Sequence, residues 1–208
     1  MPPSLPRASS GRRERRRVHT RERLFRTALR LFARRGFFET RIEDITEAVD
    51  VGKGTFFNYF PSKEHLLAAF GEMQLGKVQG AVLAAQESQE PVRRALRRLL
   101  HSLAEEPGRS QALVRSLLMA NLSSRPIRRL LRRNLGRGRR LLGQMIVQGQ
   151  RQREIRRELR PALVARLFQQ TFFGTLMLWT LHPPSQLRRW MEASFEVLWS
   201  GIAARRRP

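Results

Sequence analysis

The sequence has no cysteine, little lysine and tyrosine, and no long apolar run. With no cysteine among 208 residues, disulfides and thiolate metal sites are excluded, and a reducing compartment is favoured. No apolar run approaches the roughly 18 residues of a membrane-spanning helix. The arginine-containing N-terminus is not followed by the apolar stretch of a signal peptide. We therefore expect a cytoplasmic protein with no membrane partner, and the 41% hydrophobic residues suffice for a core.

Acidic residues are also scarce, 17 against 41 lysines and arginines, for a net charge of +24. Only three of the basic residues are lysines, so the arginine excess is in part a compositional bias. Residues 20–70 hold nine basic and seven acidic residues, whereas residues 125–160 hold thirteen and two. For the second segment a solvated helix face is the favoured interpretation, although such charge also raises non-specific DNA affinity and association rate.

The first part of residues 36–67 has the features of a helix end that is followed closely by the start of another helix. Gly36 ends a preceding amphipathic helix, because glycine readily takes the left-handed conformation beyond a helix end. Thr40 and Glu43 have the spacing of a capping box at the start of the next helix. The apolar residues of that helix recur at helical period: Ile42, Ile45, Ala48 and Val49.

A tight turn and a second short helix follow. Residues 50–52 form a turn of the length that a helix-turn-helix requires. The pattern predicts a helix over 53–60 that Phe56 and Phe60 anchor to the core, and Pro61 ends it. Side chains at the start of such a helix reach base edges, and flanking side chains contact phosphate. Binding to duplex DNA is the function that this motif indicates.

Three strings carry a resemblance to the TetR family of bacterial transcription regulators: ALRLFARRGF, IEDITEAV and VGKGTFFNYFPSKEHLL. They lie between about Thr20 and Leu67, and the rest of the chain is similar in length, helical content and the style of its terminal helices. The resemblance implies an all-α fold with an N-terminal three-helix DNA-binding domain over 18–67. A C-terminal helical regulatory and dimerisation domain would cover 68–208. Residues 1–17 are rich in proline, serine and arginine and have no apolar period, so we expect them to form a disordered basic arm.

Departures from the family pattern affect affinity and operator preference rather than the fold. The family usually has glycine at Asp50 and serine at Gly52, and often threonine at Arg41. Aspartate tolerates a left-handed turn moderately well, and glycine at a helix start lacks the hydroxyl for a phosphate. The basic arm has two open interpretations, a segment that lies along phosphates or in the minor groove and a solubilising tail.

The resemblance carries a set of DNA-contacting positions over to this chain. Thr55 and Lys53 would contact bases and adjacent phosphate, and Asn58 would form a hydrogen bond to a base edge. Tyr59 and Lys63 would contact the DNA backbone. Phe57 could pack on a thymine methyl or belong to the core, and both alternatives stay open. The complete set of expected DNA contacts is Thr40, Arg41, Gly52, Lys53, Gly54, Thr55, Phe57, Asn58, Tyr59 and Lys63.

The C-terminal helices have the character of an interface. Residues 167–187 contain no Asp, Glu, Lys or Arg in a chain that is 28% charged, and a helix that is apolar nearly all round is buried on several sides. In TetR-like proteins the last two helices of each subunit together form a four-helix dimer interface. The alternative for this segment is an ordinary intramolecular core. The expected homodimer residues are Phe172, Leu176, Trp179, Trp190, Val197, Leu198 and Trp199.

The family also encloses a small-molecule effector site between its DNA-binding and dimer segments. Such a pocket needs an apolar lining with a few orienting polar groups, and the scarcity of acidic residues favours a neutral apolar or anionic effector. The candidate lining residues are His101, Gln111, Met119, Asn121, Met145, Gln169 and Trp179.

Catalysis, metals and cofactors are not indicated. The four histidines are scattered, and no metalloprotease, phosphate-loop or nucleophile-elbow motif occurs. We therefore expect a ligand-responsive transcriptional repressor that binds a near-palindromic operator as a homodimer. The alternative is a cationic helical protein that binds nucleic acid or anionic membrane without sequence preference.

Overall fold

The structure, a computed structural model, describes the backbone of residues 8–204 and the side chains of residues 11–204. These residues form helices joined by short connections, with one 3₁₀ turn at Pro107–Arg109. The helices are α1 (Ala8–Arg35), α2 (Ile42–Glu47), α3 (Lys53–Phe57), α4 (Glu64–Ser88), α5 (Val92–Glu105), α6 (Gln111–Ser123), α7 (Arg125–Arg151), α8 (Pro161–Trp179) and α9 (Leu187–Ile202). No β-strand occurs within 8–204, so the all-α prediction is confirmed.

The helix boundaries follow the breaks visible in the sequence. The apolar period and its breaks predict helices over about 62–86, 91–105, 110–122, 125–151, 161–181 and 185–203. Each of these segments forms a helix whose ends lie within a few residues of the predicted ones. Pro126 and Pro161 lie in the first turns of α7 and α8, where a missing N–H costs nothing. The Ser110 hydroxyl caps α6 by accepting a hydrogen bond from the Leu113 N–H at 3.2 Å, as serine does at many helix starts.

The expected basic arm differs from the structure. Helix α1 begins at Ala8, so residues 8–17 are helical rather than disordered, and residues 1–7 lie outside the described part of the chain. Side chains 11–19 are all exposed. Because they do not pack against the protein, the sequence has no apolar period that would indicate a helix here. The arginines of this segment therefore project from an extended first helix.

Two buried clusters hold the helices together. The first joins α1, α2 and α3 around Phe32, Ile45 and Phe56. It is completed by side chains from the second half of the chain, among them Leu117 of α6 and Ile127 of α7. The N-terminal helices therefore do not form their core alone, because α6 and α7 supply part of it.

The second cluster lies among α4, α5, α7, α8 and α9 and contains Leu99, Met145 and Phe195. The N-terminus of α5 is capped from a distance, since the Glu154 carboxylate accepts hydrogen bonds from the backbone N–H of Val92 at 2.8 Å and of Arg93 at 3.2 Å. A carboxylate at this end also favours the helix dipole. Of the helices within 8–204, none has the length and apolar character needed to cross a membrane.

Candidate DNA-reading head and effector cavity

The turn between α2 and α3 has the geometry of a helix-turn-helix. Asp50 takes the left-handed conformation with φ of 53°, which glycine adopts more readily than any other residue. The Val51 N–H donates to the Thr46 carbonyl at 3.1 Å and closes the turn. Gly52 then precedes α3 as its N-cap residue. We call residues 20–67, which contain α2, this turn and α3, the reading head.

The start of α2 is capped differently from the expected Thr40–Glu43 pair. The Asp44 carboxylate accepts a hydrogen bond from the Arg41 N–H at 2.7 Å. Thr40 is 0% exposed, and its hydroxyl donates to the Gly36 carbonyl at 2.7 Å. Thr40 therefore holds the entry to α2 and does not present its side chain to DNA, so its assignment as a contact residue is wrong.

Two buried aromatic side chains anchor α3 and the turn that follows it to the core. Phe56 and Phe60 are buried, and their ring centroids lie 5.7 Å apart. Phe57 is 48% exposed, so core packing does not account for it. The remaining expected contacts of this region are exposed or half-buried at the surface: Arg41, Gly52, Lys53, Gly54, Thr55, Asn58 and Tyr59.

Ion pairs link α2 to its neighbours. The Lys53 ammonium pairs with the Glu43 carboxylate, and this hydrogen bond is the main reason that the pKa of Glu43 lies below its ordinary value. The Arg35 guanidinium donates to the Asp44 carboxylate at 2.9 Å. The Glu43 carboxylate therefore holds the Lys53 ammonium at the start of α3, where it competes with a DNA phosphate for the same positive charge.

Lys63 has a structural role that the sequence did not reveal. Its ammonium donates to the carbonyls of Phe37 and Thr40 at 2.7 Å and of Phe38 at 3.3 Å, and it lies 4.6 Å from the centroid of the Phe37 ring. Desolvation by burial lowers the pKa of Lys63, so these hydrogen bonds offset a cost of burial. All three donors of the ammonium are engaged, and direct phosphate binding by Lys63 is not supported.

Two arginines of α1 also fix the head without having been predicted. The Arg23 guanidinium donates to the Val49 carbonyl at 2.9 Å, which ties α1 to the end of α2. The Arg21 guanidinium lies 5.2 Å from the centroid of the Phe60 ring, within cation–π range. Neither contact has a local sequence signal, because the partners lie far apart in the chain.

An apolar cavity of about 160 Å³ lies beside the reading head and is lined mainly by α4, α6, α7 and α8. Among the described residues, no charged side chain contributes to its wall. Leu67 of α4 and Leu117 of α6 line the cavity and also belong to the core cluster of the head. Asn121 and Gln169 are the predicted pocket residues that lie on its wall.

The other predicted pocket residues do not line this cavity: His101, Gln111, Met119, Met145 and Trp179. His101 faces Glu192 at 2.7 Å on the outside of α5. Gln111 donates to the Trp179 carbonyl at 2.8 Å, and Met119 is exposed. Met145 is buried in the second core cluster, and the Trp179 indole donates to the Ser185 carbonyl at 2.8 Å.

The predicted interface residues fall into two groups. Phe172, Leu176, Trp179 and Trp199 are buried within the chain itself, so they do not form the surface of an interface. Trp190 and Leu198 are half-buried, and Val197 is 74% exposed. The large apolar side chains that α8 and its C-terminal end expose were not predicted: Leu163, Leu167, Met177, Leu178 and Leu181.

The arrangement defines a helix-turn-helix DNA-binding protein with an apolar cavity next to its reading head. The family described as "Bacterial regulatory proteins, tetR family" matches residues 24–70. DhaR, a transcriptional repressor from Mycobacterium sp. (strain GP1), is 30% identical over 169 residues, which cover 77% of this chain and 82% of DhaR. The chain belongs to the TetR family of bacterial transcription regulators. Within side chains 11–204, no group of three or more metal-ligating residues occurs.

Two further relatives show how similarity is distributed. TcmR of Streptomyces glaucescens is 40% identical over 77 residues, or 37% of this chain, and the match spans only 32% of TcmR. The crystal structure of Thermus thermophilus FadR, a TetR-family repressor in complex with lauroyl-CoA, aligns with a TM-score of 0.63 and 29% identity. That alignment covers 90% of this chain and 97% of FadR.

Proposed function

We propose that this protein is a ligand-responsive repressor that binds a near-palindromic operator as a homodimer. The observation that carries the proposal is the shared wall between the cavity and the reading head. Leu67 and Leu117 line the cavity and belong to the core cluster that contains Phe56 of α3, so a molecule in the cavity contacts the core on which α3 packs. Packed cores respond to such pressure by rearranging rather than by deforming continuously.

The DNA contacts that we propose are the exposed groups at the start of α3 and the turn before it. Lys53 and Asn58 supply donors, Thr55 is half-buried at the same surface, and Phe57 offers an exposed ring for a thymine methyl. Arg41 adds charge beside α2. Thr40 and Lys63 support this surface from within, through the carbonyl contacts described above.

One reading head covers only a few base pairs, so a specific site in a genome requires two. The proposed dimer surface is the exposed apolar face of α8 with the adjoining part of α9. Leu163, Leu167 and Leu178 recur at helical spacing along α8, Leu181 follows just beyond its C-terminal end, and Val197 of α9 is also exposed. Several exposed large apolar side chains on one face of a helix are typical of an interaction site.

The proposed effector is apolar, and neutral or anionic rather than cationic, because the described cavity wall has no carboxylate to pair with a cation. Since the wall has no basic side chain either, an anionic group would lie outside the cavity. The acyl-CoA bound by the Thermus thermophilus relative has an apolar chain and an anionic head, and this supports the same class here. By linkage, an effector that releases DNA must bind the DNA-free arrangement more tightly by the same factor.

A competition assay tests the DNA-binding proposal. The protein is bound to labelled DNA from upstream of its own coding sequence, and unlabelled duplex of the same length competes. We expect the upstream DNA to compete at concentrations lower by about 10³-fold or more than random duplex at physiological salt. Equal competition by both duplexes would instead support the non-specific cationic alternative.

A screen for thermal stabilisation, followed by DNA release, tests the effector proposal. We expect apolar or acidic compounds to stabilise the protein and to dissociate the operator complex. A cationic dye as the tightest effector would contradict the charge argument.

A further inference from the structure

The cavity wall contains two buried polar atoms that no group in the described structure satisfies. Asn134 of α7 is only 8% exposed, and its side-chain oxygen Oδ1 has no hydrogen-bond partner among the described residues. Gln74 of α4 has the same deficiency at Oε1. Both residues line the cavity, whose wall is otherwise mainly apolar. Buried polar atoms are nearly always paired, so each exception requires an explanation.

The orientation of Gln74 is set by the protein. Its Nε2 donates to the Leu103 carbonyl at 2.9 Å, which leaves Oε1 as the unpaired atom. An amide oxygen accepts hydrogen bonds and cannot donate them. Whatever satisfies Gln74 must therefore be a donor.

The chain makes room for Asn134 with a glycine on the opposite helix. A Cβ atom at Gly71 would lie 2.7 Å from Asn134 Nδ2, closer than two such atoms can approach. Any other residue at position 71 would therefore push the amide away. Gly71 itself lines the cavity, so the close packing of α4 on α7 keeps a polar group where an apolar side chain would satisfy the core better.

The polar side chains on the cavity wall differ in their hydrogen bonding. Asn121, the other asparagine on the wall, donates from Nδ2 to the Leu117 carbonyl one turn earlier in α6 at 2.7 Å. Gln169 donates to the Leu135 carbonyl at 2.9 Å. These two residues are tied to backbone, whereas Asn134 makes no such bond within residues 11–204.

We propose that Asn134 Oδ1 is the polar anchor for an effector that is apolar except for one hydrogen-bond donor, with Gln74 Oε1 as a second acceptor on the same wall. The inference rests on the proposed function and narrows its ligand class to hydroxyl-bearing compounds, as distinct from plain hydrocarbon. The volume of about 160 Å³ is close to the roughly 150 Å³ of an engineered apolar cavity in another protein that takes up benzene. A ring-sized body with one hydroxyl group fits the volume, and its O–H satisfies one acceptor. We assign that acceptor to Asn134, because its side chain makes no other hydrogen bond within residues 11–204.

Matched ligands test the anchor on the full-length protein. The probes are 4-propylphenol, which donates a hydrogen bond, 4-propylanisole, which cannot, and propylbenzene, which has no polar atom. Calorimetry measures their affinities. We expect 4-propylphenol to bind roughly three- to tenfold more tightly than either analogue, as one net hydrogen bond provides.

The decisive variant is Asn134→Leu, with Asn121→Leu as its control on the same cavity wall. In Asn134→Leu we expect the preference for the phenol to fall below about twofold and the melting temperature without ligand to rise, since an unpaired amide is removed. Asn121→Leu should keep the preference. Gly71→Ala, which displaces the amide without replacing it, should also reduce the preference.

Three results would overturn the anchor. They are equal binding of phenol and anisole, absence of binding by all three probes, and a retained preference in Asn134→Leu. A lower melting temperature for Asn134→Leu would show instead that Asn134 is satisfied, for example by enclosed water. If propylbenzene releases operator DNA as well as the phenol does, the repressor proposal stands and only the anchor fails.

Discussion

Replacement of Lys63 by methionine separates a structural role from a DNA contact. Methionine keeps a flexible apolar stem of similar length and removes the ammonium. The change leaves the carbonyls of Phe37, Phe38 and Thr40 without their shared donor. These carbonyls form the connection between α1 and α2, so the substitution affects the packing of the reading head.

The magnitude follows from the geometry. Two of the hydrogen bonds are short, at 2.7 Å, and one is long, at 3.3 Å. Hydrogen bonds to charged groups contribute about 1.5–3 kcal/mol each. The site is partly exposed, and the lowered pKa of Lys63 shows that burial of the charge offsets part of the gain. We therefore expect Lys63→Met to lower the free energy of unfolding by about 1.5–3 kcal/mol in total.

Denaturant unfolding and the salt dependence of DNA binding together provide the assay. Lys77→Met is the matched control. It also removes a lysine ammonium that donates to a backbone carbonyl, that of Ser102, but it does so outside the reading head. A variant that can no longer bind one of the phosphates has a slope of log affinity against log salt that is smaller by about one. We expect Lys63→Met to destabilise the protein and keep that slope, and Lys53→Met to reduce it. Unchanged stability with a slope reduced by about one would refute the structural role of Lys63.

Three further predictions follow from the head and the α8–α9 face. Glu43→Gln should strengthen DNA binding several-fold in an anisotropy titration, because it releases Lys53, whereas the control Glu47→Gln should have less effect; equal gains would show that only net charge matters. Asp50→Gly should raise the free energy of unfolding by about 0.5–1 kcal/mol in urea, because it relieves a left-handed residue, and a decrease would show that the aspartate side chain stabilises the turn. Val197→Glu should shift light scattering from dimer to monomer at micromolar concentration, and a retained dimer would place the interface elsewhere.

Local signals in the sequence were sufficient for the helices and the turn. Prolines, glycines and the apolar period act within a few residues, so the boundaries of α4 to α9 were predictable. The anchors Phe56 and Phe60 were predictable because a spacing of four residues places both on one helical face, although α3 ends at Phe57 rather than at the predicted residue 60 and Phe60 lies just beyond the following turn. The extension of α1 to Ala8 was missed, because an exposed polar helix has no apolar period.

Long-range contacts account for most of the errors at the site. Lys63 reaches carbonyls 23 to 26 residues away, and only the folded chain shows that they take all of its donors. The cavity was assigned to polar and aromatic types scattered along the helices, whereas its wall is mostly leucine and phenylalanine. The polar atoms that matter there, on Gln74 and Asn134, were not among the candidates.

The α8–α9 region shows why composition does not resolve faces. The largest aromatic side chains, such as Phe172 and Trp179, are buried within the chain. The exposed face is made of leucine, methionine and valine, among them Leu181 and Val197. A charge-free segment indicates burial on several sides without specifying which side faces a partner.

Selection from a pool of random duplexes tests sequence-specific binding by a dimer most directly. The protein is incubated with the pool at physiological salt, bound duplexes are amplified, and the cycle is repeated before sequencing. We expect a near-palindromic motif whose half-sites lie one helical turn or more apart, and we expect no enrichment when Thr55 and Lys53 are replaced by valine and alanine. An unenriched pool, or the same motif selected by that double variant, would contradict DNA reading by α3.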